Sequence, residues 1–237
     1  MALWLLACCA MIFAMVVIGG VTRLTESGLS ITEWKPIIGV VPPLSAAEWQ
    51  EAFAKYQQIP EYKVKNAGMS LAEFREIFWW EYVHRLWGRL IGAVYLLPFL
   101  VFLAKGWINR RVAWQVAGIF FLGALQGALG WYMVKSGLVD RLDVSPYRLT
   151  AHLGLALLIY AATYWTALDL LAPASRAHLA TTIRHSRAAL GVAVLVFLTM
   201  LAGGFVAGND AGLVYNTFPL MDGALVPAGY GDLAPWW

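Results

Sequence analysis

The sequence predicts an all-α fold: a polytopic membrane helix bundle made of one four-helix half and the first helix of a repeated second half. Three observations carry this. The chain is 60% hydrophobic and only 13% charged over 237 residues, more apolar surface than a soluble domain of that size can bury. The apolar residues gather into five runs, 3–21, 81–104, 113–134, 149–171 and 188–206. Each is long enough to cross a hydrocarbon core of about 30 Å at about 1.5 Å per residue. Finally, a pattern that closes the first run returns after the fifth. The 12 Trp and 10 Tyr suit a protein with two membrane–water interfaces.

Taken in order, run 3–21 lacks a basic leader, and "VIGGVTRLTESG" is not a signal-peptidase site, so it reads as a retained helix. Cys8 and Cys9 are adjacent inside it and offer neither a disulfide framework nor metal-ligand spacing. Loop 22–80 follows. In "LSAAEWQEAF", Ser45 and Glu48 form the capping box of an amphipathic helix, and "SLAEFREIF" repeats the signature at Ser70 for a second short helix. Two units result: a four-helix half over 1–187 with outer loop 22–80, and the first helix and loop of a second half over 188–237.

Charge sets the orientation. Connectors 105–111 ("KGWINRR") and 172–187 hold six Lys/Arg and no Asp/Glu, whereas 207–237 holds three acids and no Lys or Arg. The positive-inside rule places the N-terminus and both basic connectors in the cytoplasm, with 22–80, 135–148 and 207–237 outside. A net charge of +3 is too small to suggest nucleic acid, so the solvent partner is membrane lipid.

Ionisable groups at membrane depth are costly and by default mark function. Residues 81–89, "EYVHRLWGR", set a carboxylate, an imidazole and two guanidiniums at the outer mouth of the second helix. His152 ("RLTAHLGLAL") stands near the outer end of the fourth. The two histidines therefore share a depth on helices of the same direction, and paired histidines are a common haem iron arrangement. Glu81, His84 and Gly88 are spaced i, i+3, i+7 on one face, extended by Gly92. The glycines let a flat group approach, and also suit a G-x-x-x-G helix contact. Arg85 and Arg89 form a neighbouring stripe, suited to haem propionates or to snorkelling. Gln126, in "GALQGALGW" with Gly123, Gly127 and Gly130, is a candidate hydrogen-bonding group inside the bundle.

The repeat joins "GGVTRLTESGLSITEWKPIIGVVPP" to "GGFVAGNDAGLVYNTFPLMDGALVP". At an offset of 184 residues, Gly19, Gly20, Gly28, Leu29, Gly39 and Pro43 match Gly203, Gly204, Gly212, Leu213, Gly223 and Pro227. Four helices separate the copies, so they run parallel. The chain is therefore expected to be a piece of a longer protein, with three more helices and a second histidine pair beyond Trp237.

Together "GGVTRLTESGLSITEWKPIIGVVPP", "EYVHRLWGR", "GALQGALGWYMVKSGL", "RLTAHLGLAL" and "GNDAGLVYNTFPLMDG" resemble the haem A synthases of the proteobacterial and mitochondrial branch over almost the whole chain. The resemblance implies an inner-membrane oxidoreductase that oxidises the C8 methyl of haem O to a formyl group by successive hydroxylations. Glu81 would be catalytic, His84 and His152 would ligate haem iron, and Arg85, Arg89 and Gly88 would line the haem. Haem O would be substrate, and haem b a cofactor on a histidine pair in the absent half. Haem O synthase and cytochrome oxidase assembly factors would be partners, and a homo-oligomer stays open. Loop 22–80 has none of the cysteines that some members of the family carry there. Two other classes stay open from the residues alone. A bis-histidine cytochrome b explains the histidines but gives Glu81 no task. A transporter predicts ionisable residues at mid-membrane, whereas here they cluster at the outer ends.

Overall fold

The computed structural model describes residues 1–35, 38–140, 143–171, 183–217 and 219–226. Eight α-helices occur among them: α1 (Ala2–Leu24), α2 (Ala46–Tyr56), α3 (Pro60–Val64), α4 (Leu71–Ala104), α5 (Arg110–Asp140), α6 (Pro146–Leu171), α7 (Ile183–Gly208) and α8 (Ala211–Val214). Helices α1, α4, α5, α6 and α7 are long and apolar enough to cross a membrane, one for each predicted run. The chain is thus a multi-pass membrane protein. Most of the basic connector 172–187, and the end of the second copy with Pro227, lie outside the described residues.

Both capping boxes form. Ser45 accepts from the Glu48 amide and Ser70 from the Glu73 amide, while each glutamate reaches back to its cap. The helix opened by Ser70 is not a separate short one, however. It runs unbroken into the span as the 34 residues of α4, about 51 Å at about 1.5 Å per residue. Nothing between Ser70 and Glu81 breaks a helix, so the change from amphipathic to apolar sequence marks a change of surroundings, not an end. Helix α5 likewise extends beyond the predicted 134, to Asp140.

Helix α6 is the hub, packed against α1, α5 and α7; α4 closes the bundle against α1 and α5. Pro98 lies inside α4 and cannot donate to the carbonyl four residues back, that of Val94. Trp4 of α1 does so instead, its indole nitrogen donating to Val94 O at 2.8 Å. In an apolar surrounding such a carbonyl needs a partner. One tryptophan thereby satisfies α4 and joins α1 to it.

Two apolar clusters result. One fills the inner part of the bundle around Leu5, Ile12, Tyr95, Phe99, Val116, Ile119 and Ile159. The other sits at the end of the bundle that carries α2, whose Trp49, Phe53 and Tyr56 pack with Leu29 on Phe74, Phe78 and Tyr82 of α4. Residues 81–89 lie where α4 passes from the second cluster to the first.

The backbone echoes the repeat. Glu26 and Asp210, 184 residues apart, both adopt left-handed φ angles, 51° and 52°. Arg23 bridges the copies. It donates to Ala207 O at 3.2 Å, its own counterpart in the repeat, and pairs with Asp210 at 2.8 Å.

Candidate functional site

The site is built on α4 and closed by the first copy's loop. Glu81 is only 2% exposed. Its Oε2 accepts from Ser30 Oγ at 2.7 Å and from the Ile31 amide at 2.5 Å; its Oε1 accepts from Arg85, one turn along the helix. A buried carboxylate is tolerated only with such donors. The guanidinium of Arg85 goes on to the carbonyls of Ile31 at 2.7 Å and Glu33 at 3.0 Å, and lies over the Trp34 ring. Arg89 donates to Lys35 O at 3.0 Å. Tyr82 adds a bond to Val40 O at 2.5 Å. Polar residues of α4 thus stitch "SITEWK" across the mouth of the bundle, and both arginines of the predicted stripe are engaged with that loop.

His84 of α4 and His152 of α6 are both partly buried. Each is matched by a glycine on a neighbouring helix. A Cβ at Gly19 would stand 3.2 Å from His84 Nε2, and one at Gly130 would stand 3.0 Å from His152 Cε1. A side chain at either place would push on an imidazole. Gly88 instead faces Met15 of α1, and Gly92 meets nothing within 4 Å. Gln126 donates to His152 O at 3.0 Å, while Gln126 Oε1 and His152 Nδ1 are buried without hydrogen-bond partners among the described residues.

This donor set fits a haem. Among the described residues no three His, Cys, Asp or Glu side chains are grouped to hold a bare metal ion. Two imidazoles suffice for an iron that brings four equatorial nitrogens of its own. An imidazole nitrogen left without a partner and glycines opposite both rings suit a ligand pair awaiting a flat group.

The donors Ser30 and Ile31, the wall formed by Trp34 and Trp131, and Lys135 all lie within the quoted motifs, but no spacing in the sequence pointed to these roles. All are brought in by tertiary folding: Ser30 reaches Glu81 across 51 residues, and one cavity joins Trp34 of the loop to Trp131 and Lys135 of α5.

The comparisons with known proteins bear on what this arrangement serves. The family model COX15-CtaA, described as cytochrome oxidase assembly protein, matches residues 2–237. The chain belongs to the COX15-CtaA family. It is 58% identical over 237 residues to a protein of Nitrosospira multiformis, covering 100% of this chain and 67% of that one. It is 54% identical over 239 residues to one of Nitrosomonas eutropha, with the same coverage. With one of Paramagnetospirillum magneticum it shares 57% over 238 residues, covering 99% of this chain and 66% of that one. All three COX15-CtaA relatives are named "Heme A synthase". The chain spans about two thirds of their length. No solved structure matches it.

Proposed function

We propose that this chain works in haem A biosynthesis for cytochrome oxidase, as the part of a haem A synthase that binds haem O and oxidises its C8 methyl to a formyl group by successive hydroxylations. The observation that carries the reading is Glu81: a buried carboxylate held by three donors, one helical turn from His84. The name of the relatives, "Heme A synthase", supplies the product.

The residues divide the work. His84 and His152 ligate the iron of the substrate haem from facing helices, which fixes the ring and brings one edge to a defined place. Ser30, the Ile31 amide and Arg85 hold Glu81 in a single orientation. From there its carboxylate takes up a proton released at the methyl carbon, or stabilises positive charge developing on it. The clamped loop keeps bulk water from the reacting edge. A resident haem b would carry electrons and be held outside residues 1–237. The loop side faces the outside of an inner membrane and the N-terminus faces the cytoplasm, in keeping with the basic connector "KGWINRR". Haem O synthase and oxidase assembly factors are the expected partners.

The test is Glu81→Gln in the full-length enzyme, expressed beside a source of haem O. Extracted pigments should contain haem O or a hydroxylated intermediate in place of haem A, while protein yield and haem content stay normal. Haem A at the wild-type rate would reduce Glu81 to a loop anchor. Extracts of the wild type that hold bound haem but never any haem A would favour a plain bis-histidine cytochrome.

A further inference from the structure

A cavity of about 280 Å³ opens beside the site. It is lined by the loop residues Ile31 to Trp34, by Arg85, and by the α5 face that carries Trp131, Val134 and Lys135. We propose that this cavity receives the carboxylate edge of the bound porphyrin, with Lys135 as the charge that binds it and Trp34 and Trp131 as the walls of the slot. The inference rests on the substrate reading above, and it assigns the propionates to Lys135, to which the resemblance gave no role.

Depth is the first argument. Gly130 touches His152, and Lys135 stands five residues further along α5 toward the outer end, about 7.5 Å at about 1.5 Å per residue. Arg85 on the opposite wall follows His84 directly. The cavity thus begins just outward of the imidazole layer. A macrocycle ligated from two facing helices stands edge-on between them, so one edge points in and one points out. The inner edge meets the apolar cluster of Ile12, Tyr95 and Ile119, where carboxylates would be prohibitively desolvated. The charged edge must face the cavity.

Available charge is the second argument. Arg85 is committed to Glu81, Ile31 and Glu33. Arg89 is turned to the Lys35 carbonyl. Glu33, the acid on the rim, is neutralised by Lys35 at 2.8 Å and Lys55 at 3.0 Å, so it repels a carboxylate little. Lys135 has its ammonium 5.4 Å from the centroid of Trp131 and no carboxylate within ion-pair distance among the described residues. A cation parked on an indole beside an open slot can swing to a carboxylate at little cost, because its stem is flexible.

The test is a binding titration that needs no turnover. The full-length enzyme in lipid nanodiscs is titrated with haem O and with its propionate dimethyl ester, and the Soret band is followed. Wild type should bind the diacid more tightly than the ester. Lys135→Met should weaken the diacid about tenfold and leave the ester unchanged, and Lys135→Arg should restore the difference. Equal binding of diacid and ester by wild type overturns the proposal, as does equal loss of both in Lys135→Met. An anionic lipid headgroup offers similar chemistry. If the Lys135 effect vanishes when phosphatidylglycerol is replaced by phosphatidylcholine, the cavity reads lipid and the proposal fails. Diacid selectivity through Lys135 in an enzyme that makes no haem A would sink the substrate reading and leave the cavity assignment standing.

Discussion

The two copies of the repeated segment start alike and finish differently. Both close a membrane helix on small residues, and both turn through a left-handed residue at the same register, Glu26 and Asp210. After that turn the first copy is buried and bonded, with Ser27 and Ser30 almost inaccessible. The second is open: Leu213, Val214 and Leu225 are exposed. The difference lies in what each loop meets. The first runs into Glu81, Arg85 and Arg89 of α4. The positions that would answer those three residues at the repeat offset fall beyond residue 237, so the second loop is seen without them. The turn is therefore a local property of the sequence, while the ordered loop is a tertiary product of one charged turn of helix.

Removing that clamp should break the contrast most. Arg85→Ala leaves a buried carboxylate without its cation, a loss of about 3–5 kcal/mol when one partner of a buried pair is deleted. The first loop should then behave like the second. Expected results are a thermal midpoint lowered by several degrees and hydrogen exchange over residues 27–35 rising toward that of 211–217. Protection of 27–35 that survives the substitution would show that the loop is held without Arg85, by the Glu81, Arg89 and Tyr82 bonds and the apolar cluster beneath it.

A smaller effect separates the paired glycines. Gly19→Ala pushes a methyl to 3.2 Å from His84 Nε2, whereas Gly203, its counterpart, has nothing within 4 Å. Overpacking of the first kind costs about 1–3 kcal/mol. Gly203→Ala should be neutral or slightly stabilising, since alanine is the better helix former. Thermal midpoints read the cost, and the Soret spectrum tests the proposed ligation by His84. Equal responses at the two positions would dissolve the contrast between the copies at this point.

These tests also show what the sequence alone could convey. Five spans, two capping boxes and the repeat were legible because each depends on near neighbours: an apolar run, a Ser-x-x-Glu spacing, a glycine at a turn. The residues 81–89 stood out because charge at membrane depth is rare. What the charges touch was not legible. Ser30 reaches Glu81 across 51 residues, and Lys135 lines a cavity with Trp34 only because the loop folds over α5. The boundary expected near Glu81 also failed, because a helix does not stop where its surroundings change from water to lipid.

The smallest effect concerns a buried acid beneath the first loop. Glu61 of α3 is 3% exposed, lines a small cavity under the first loop with Thr22, Arg23, Glu26 and Asp143, and has Oε2 without a hydrogen-bond partner among the described residues. Burial first, then the nearby carboxylates of Asp143, Glu81 and Glu26 against the opposing Lys65, push its carboxyl up to about 8 from 4.5. The folded state thus holds a proton that the unfolded chain has released above pH 4.5 or so. The stability this proton provides is complete below pH 4.5 and is lost as pH rises through about 8. Wild-type thermal midpoints should therefore fall between pH 6 and pH 9. Glu61→Gln keeps the shape and removes the titration, so its midpoint should fall less and exceed wild type at pH 9 by the equivalent of about 1 kcal/mol or more. Arg23, Glu26 and Asp143 face the same cavity, and Lys65 pairs with Asp143; none of them is altered in the variant, so their contribution is common to both curves. Parallel curves for the two proteins would mean that Glu61 is ionised throughout, with Lys65 or Arg23 compensating it, and that the first loop's stability does not depend on its proton.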